Sequence, residues 1–194
     1  MIYEKLIVAE GNMDFEIRFL LGAVGNDETR YAMKYIHVEP SEKEEGRFLG
    51  VSTDGRHLHL VDPLDIAFGK VFGLTPGFWQ VFKGSKGKEI LIARLADTQT
   101  ENWVFPNWRI VIPNGDVDYS TVFKGFGFKG RDVSAFSHLA TFIHDFPEIT
   151  AIDLRYLESL GKNFEWKVEW RGNSKPIVFT DHNRMALIQP MQTA

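Results

Sequence analysis

One order of elements occurs at both ends of this chain and leaves few folds open to it. Near the start, MDFEIRFLLGAVGND at 13–27 places Phe15, Phe19, Leu20 and Ala23 on one helical stripe, with Arg18 off it. Asp14 is suited to cap that helix, and Gly25-Asn26 to stop it. RYAMKYIHVE, RFLGVSTDG and RHLHLVD then read as three strands, the last two joined at Asp54-Gly55, a dipeptide suited to the positive φ of a tight turn. Near the end, Asp153 is an N-cap for LRYLESLGK, in which Leu154, Leu157 and Leu160 share a face and Gly161 is the stop. FEWKVEW follows with strict alternation, Phe164, Trp166, Val168 and Trp170 against Glu165, Lys167 and Glu169, which describes a strand with one buried face. KPIVFTD and MALIQPM complete a second set of three strands across the turns RGNS and HNR. The expected class is therefore α+β, with a helix-plus-three-strands unit occurring twice.

The middle of the chain has a weaker signal. GFWQVFK at 77–83 reads as a short helix, KEILIARL as a strand, and TENWVFPNWRIVIP as strand-like with Pro106 at an edge or bend. From DYSTVFK onward a strand gives way to loop, since Gly125, Gly127 and Gly130 weaken any helix, and a short helix is expected at 135–144. The expected division is 1–114, a connecting or shortened segment at 115–148, and 149–194, with one compact domain over the whole chain as the other possibility.

Composition narrows the function. With 194 residues, 44% of them hydrophobic, the chain can bury one sizeable core or two small ones. It has no apolar run near the ~20 residues a membrane span needs, and acids stand at its N-terminus where a secretory signal would be basic and then apolar. The expectation is a soluble protein, and the absence of cysteine is compatible with the cytoplasm and excludes disulfides, thiol catalysis and thiolate metal sites. A net charge of -4 argues against a protein coated for non-specific nucleic-acid binding.

Candidate chemistry is sparse. His57 and His59, two apart on a strand, project to one face, and Asp62 or Asp181-His182 could add ligands for zinc or iron, making a metal-dependent hydrolase or oxygenase. No third ligand stands at diagnostic spacing, so the plainer reading is a hairpin that carries histidines, with no metal and no cofactor. Asp54 before Gly55 needs no catalytic role. Neither a phosphate-binding glycine loop nor a nucleophile elbow occurs. Lys70, Lys83, Lys86 and Lys88 beside Phe78, Trp79 and Phe82 mix charge and aromatics as single-strand binders do, but equally describe a solvated loop over a core cluster.

Three segments resemble one family. VSTDGRHLHLV is similar to the Thr-Asp-Gly turn of the bacterial DNA polymerase III beta subunit, the sliding clamp; FPNWRIVIP is similar to its Phe-Pro-x-Tyr-Arg-x-Val-x-Pro segment; and IDLRYLESL through ALIQPM is similar to its C-terminal part, which ends in Met-Pro-Met. They stand in the clamp's order. The resemblance covers about half of the chain and implies a DNA-clamp (processivity) fold with sheets outside and helices facing DNA, acting in replication or repair without a reaction of its own.

It also implies a hydrophobic pocket that receives linear peptides from a DNA polymerase or other clamp-binding proteins. Carried over by position, that pocket comprises Thr53, Gly55, Arg56, His57 and Leu58 from the turn, Pro106 and Val111 from the central segment, and Ile188, Pro190 and Met191 from the last strand. Proline, methionine and aliphatic side chains beside an edge strand suit the apolar anchors of an extended peptide. Double-stranded DNA would meet Arg18, Arg155 and Lys162 on the two helices, and a ring would require a homo-oligomer. The chain departs from the family's pattern in the reversed order Arg56-His57, in Ile110 where the family has Arg, and in Gln189 before the final proline. Two other functions stay open: the histidine-based metal enzyme, and a clamp fold used purely for protein interaction.

Overall fold

The computed structural model describes residues 1–9, 12–27, 29–64, 74–83, 90–124, 144, 152–161, 164–172 and 175–191. The chain divides into two compact units: residues 1–55 with 59–106, and residues 56–58 with 107–194. No described helix is long and apolar enough to cross a membrane.

The first unit runs β1 (Tyr3–Ala9), α1 (Asn12–Leu21), a 3-10 turn (Tyr31–Lys34), β2 (Ile36–Pro40), β3 (Phe48–Thr53), β4 (His57–Val61, whose first two residues group with the second unit), β5 (Gly77–Lys83), β6 (Ile90–Leu95) and α2 (Asp97–Thr100). Its strands lie in the order β1-β6-β5-β2-β3-β4, antiparallel at β1–β6, β6–β5, β5–β2 and β2–β3. α1 packs on β1 and β3. Its buried face is Ile17, Phe19 and Leu20, with Ala23 just beyond its end, whereas Phe15 is exposed. The stripe expected through Phe15 is therefore rotated. The helix also begins before Asp14, which lies in the first turn and pairs with Arg18 rather than capping the end, and it closes at Leu21 through the bonds Gly22 N–H to Phe19 C=O and Ala23 N–H to Leu20 C=O. Which of two apolar stripes faces inward is set by the sheet beneath: the buried Ser52 hydroxyl of β3 donates to the Leu20 carbonyl at 2.5 Å.

Three middle segments differ from expectation. GFWQVFK is β5, not a helix, because β2 and β6 pair with it on both edges. Phe78 and Trp79 are both buried: Phe78 joins Ala32, Tyr35 and Leu95, while the Trp79 indole donates to the Thr75 carbonyl at 3.0 Å. The Tyr31–Lys34 part of the first expected strand is the 3-10 turn. TENWVFPNWRIVIP contains no strand: Trp103 and Phe105 pack onto the aromatic cluster of Tyr35 and Phe78, and Trp108–Val111 forms a second 3-10 turn. β1 was not anticipated from the sequence.

The second unit contains that turn, β7 (Tyr119–Lys124), α3 (Leu154–Ser159), β8 (Glu165–Trp170), β9 (Ile177–Asp181) and β10 (Arg184–Ile188), with strands in the order β10-β9-β8-β7, all antiparallel. Here the alternation holds as read. Trp166, Val168 and Trp170 of β8 are buried against Phe123 of β7 and Phe179 of β9, the last two meeting edge to face at 5.9 Å. Asp153 caps α3, its carboxylate accepting from the Arg155 N–H at 3.0 Å, and Gly161 follows with φ +84. Leu157 and Leu160 are buried, but Leu154 is exposed, so Tyr156 completes the inner face in its place. Apart from His144, the short helix expected at 135–144 lies outside the described residues, as does the character of 125–143.

Candidate functional site

The Thr-Asp-Gly turn is built from its own side chains. Thr53 ends β3 with its hydroxyl oxygen accepting from the Gly55 N–H at 3.0 Å. Gly55 has φ +90, a conformation that favours glycine. A Cβ there would lie 2.7 Å from Arg30 Nη1 and 3.2 Å from Met33 Cε. Thr53 is buried, while Gly55 and Arg56 are exposed.

At Arg56 the chain leaves the first unit, and Arg56, His57 and Leu58 belong with the second. There the Arg56 carbonyl accepts from the Gln189 N–H at 3.0 Å, just past the end of β10. The buried His57 ring stacks on Tyr156 of α3, with centroids 4.1 Å apart and planes 24° from parallel. Leu58 is buried, as is Ile188 at the end of β10. Pro190 is half-buried, and Met191 is 43% exposed. Val111 is 44% exposed at the end of a turn whose Trp108 is buried beneath the Arg109 guanidinium, 4.2 Å from the ring centre. Pro106, exposed, closes the first unit. Within the second unit the structure thus ties Arg56 and His57 to the β10 terminus and to α3. Sequence reasoning missed Tyr156, whose only signal was a bulky ring three residues beyond the helix cap Asp153.

Electrostatics favour the charged form of the α3 cap. Hydrogen bonds from the Arg155 side chain hold the Asp153 carboxyl below its ordinary value against the cost of its burial, and His57 adds a smaller effect of the same sign. Both arginines expected at DNA are ion-paired along their own helices, Arg18 to Asp14 at 2.7 Å and Arg155 to Asp153, although the Arg155 side chain is 82% exposed. Lys162 lies outside the described residues.

The histidines of the alternative, metal-enzyme reading have other contacts. His59 is fully buried, stacked on Phe19 at 4.1 Å, with Nδ1 2.6 Å from the Phe19 carbonyl. A carbonyl only accepts, so the proton sits on Nδ1. Among the described residues no three His, Cys, Asp or Glu side chains group as a metal site.

Helices combined with antiparallel strands in each unit fit the DNA-clamp fold. Solved structures similar to this chain include bacterial DNA polymerase III beta subunits. That of Borrelia burgdorferi, in complex with a natural product, is 10% identical with a TM-score of 0.55 over 99% of this chain and 65% of its own. The clamp of Bartonella birtlesii bound to griselimycin is 13% identical with a TM-score of 0.57 over 100% and 67%, and that of Bacillus subtilis 12% identical with 0.55 over 100% and 66%. The chain therefore spans about two thirds of the length of these clamps. At such identities the likeness shows the fold alone. No family model matches the chain, and no curated protein matches it.

Proposed function

We propose that this protein is a clamp-like accessory factor of DNA replication or repair that works in the cytoplasm as a homo-oligomer, has no reaction of its own, and captures linear peptides of a DNA polymerase or other clamp-binding protein. The observation that carries the reading is the transfer of Arg56–Leu58 into the second unit, where the Gln189 N–H holds the Arg56 carbonyl next to Pro190 and Met191. Thr53 and Gly55 shape the turn that makes the transfer; Val111 and Met191 supply exposed apolar surface, and Leu58 and Ile188 the buried floor. An extended peptide with two apolar anchors is the ligand of matching chemistry. Double-stranded DNA is the second expected partner, met by Arg18, Arg155 and Lys162.

The test is fluorescence anisotropy with a labelled peptide carrying a pair of adjacent aliphatic and aromatic anchors. Wild type is expected to bind saturably. Met191→Ala, at an exposed site, should weaken binding about tenfold, and Leu58→Ala with Met191→Ala should abolish it. No binding up to about a millimolar, an interaction of only about 4 kcal/mol, refutes the pocket. A duplex-DNA titration in rising salt separately tests the nucleic-acid arm.

A further inference from the structure

Asn114-Gly115 is the only Asn-Gly dipeptide in the sequence, and it lies in the second unit between the 3-10 turn Trp108–Val111 and β7, with no part in the peptide pocket as proposed. Asparagine before glycine carries a reaction of its own. The backbone nitrogen of the second residue attacks the side-chain carbonyl carbon of the first and closes a succinimide ring, and glycine favours the attack because it has no side chain to shield that nitrogen. A fold suppresses the reaction where the attacking N–H is hydrogen-bonded or the segment is locked into regular structure. Neither restraint acts here. Residues 112–118 lie outside the described helices and strands, and Asn114 and Gly115 are both exposed. Among the described residues nothing hydrogen-bonds the Asn114 side chain or the Gly115 N–H. The Arg171 Nε–H does donate to the Gly115 carbonyl at 3.1 Å, but that carbonyl belongs to the next peptide unit and leaves the attacking nitrogen unengaged. The surroundings are open as well, since nothing lies within 4 Å of a Cβ built on Gly115.

We propose that Asn114 is a self-modification site, at which the folded protein deamidates to aspartate and isoaspartate without an enzyme. The Gly115 nitrogen gives its proton to solvent base and bonds to Asn114 Cγ; the Cγ–Nδ2 bond breaks, and ammonia leaves with a proton from solvent. Water then opens the ring, either at Cγ, which restores the ordinary main chain as aspartate, or at the main-chain carbonyl, which leaves the chain running through Cγ as isoaspartate. Water is the one co-reactant, and no electrons change hands. Either product adds a negative charge to a chain whose net charge is -4, next in sequence to Asp116 and Asp118 at the entrance to β7. The isoaspartyl form also lengthens the main chain by a methylene between the buried Pro113 and Asp118, whose N–H is held by the Trp170 carbonyl at 3.0 Å.

The experiment ages wild type and Asn114→Gln in mildly alkaline buffer, folded and in urea, and follows tryptic peptides by chromatography and mass spectrometry. Cleavage after Arg109 and Lys124 releases residues 110–124, in which Asn114 is the only asparagine and no glutamine occurs. In wild type this peptide should take on the mass difference between an amide and an acid and split into two acidic products, one of them matching the same peptide from Asn114→Asp. The residue 95–109 peptide is the internal control: Asn102 and Asn107 are exposed too, but a tryptophan follows each, so they should react at least about tenfold more slowly than Asn114. The folded rate at Asn114 should lie within about threefold of the rate in urea, because an exposed and unbonded amide needs no local opening before it reacts. Asn114→Gln, whose longer side chain cannot close the same ring, should give neither product. A folded rate more than about tenfold below the urea rate would show that the fold protects Asn114 and would overturn the proposal. Equal rates at Asn102, Asn107 and Asn114, or the same acidic products from Asn114→Gln, would overturn it as well.

Discussion

Replacing Gly55 by alanine tests the turn on which the whole site depends. The backbone there has φ +90, and an L-residue with a Cβ in the left-handed region costs roughly 1–2 kcal/mol. The new Cβ would also sit 2.7 Å from Arg30 Nη1 and 3.2 Å from Met33 Cε, so the Arg30 guanidinium must move. Arg30 is exposed and swings aside at small cost, which brings the total to about 2 kcal/mol. Gly46→Ala is the natural control: its φ is +77 and nothing lies within 4 Å of its added Cβ, so only the backbone cost applies, about 1 kcal/mol. For a protein of this size each kcal/mol lowers the melting temperature by about 2–4 °C, so calorimetry should place Gly55→Ala about 4–8 °C below wild type and Gly46→Ala between them. Removing the obstruction with Arg30→Ala in the Gly55→Ala background should recover the difference between the two glycine variants. A Gly55→Ala protein that melts with wild type would refute the left-handed turn. One that melts with Gly46→Ala would refute the crowding by Arg30.

Two further outcomes test the second unit. Trp166 is fully buried, so Trp166→Ala should cost about 3–5 kcal/mol in urea unfolding; a loss under 1 kcal/mol would mean that β8 does not carry that core. Asp153→Ala should cost about 1 kcal/mol at pH 7 through loss of the α3 cap. Because Asp153 is held below its ordinary 3.8 in the folded protein, its contribution is complete above that value and is lost as the pH falls through the lowered one, so the two stability curves should converge only in acid. Convergence near neutral pH would show that another group carries the effect.

Legibility followed the strength of local pattern. β8, its paired strands and the α3 cap were readable because FEWKVEW alternates without exception and Asp153 precedes a leucine-rich turn with glycine at its end. The Asp54-Gly55 turn was readable because few dipeptides accept its backbone. GFWQVFK carried no such pattern: two adjacent aromatics are both buried, as happens when a strand is covered on both faces, and that removes the period-two signal. In α1, Phe15 and Ile17 each offered an apolar stripe, and nothing local chose between them.

The same division holds for function. Sequence alone determined the α+β class, the order of the three clamp-like segments and the turn at residues 53–55, because each depends on residues adjacent in the chain or on a backbone angle that glycine permits. Tertiary structure alone decided that Arg56–Leu58 part from their neighbours, that His57 lies on Tyr156 while His59 turns to the Phe19 carbonyl, and that α1 buries Ile17 and exposes Phe15. Those choices arise from contacts between residues as far apart in sequence as Arg56 and Gln189, and a side chain's local neighbours hold no information about which distant surface will cover it.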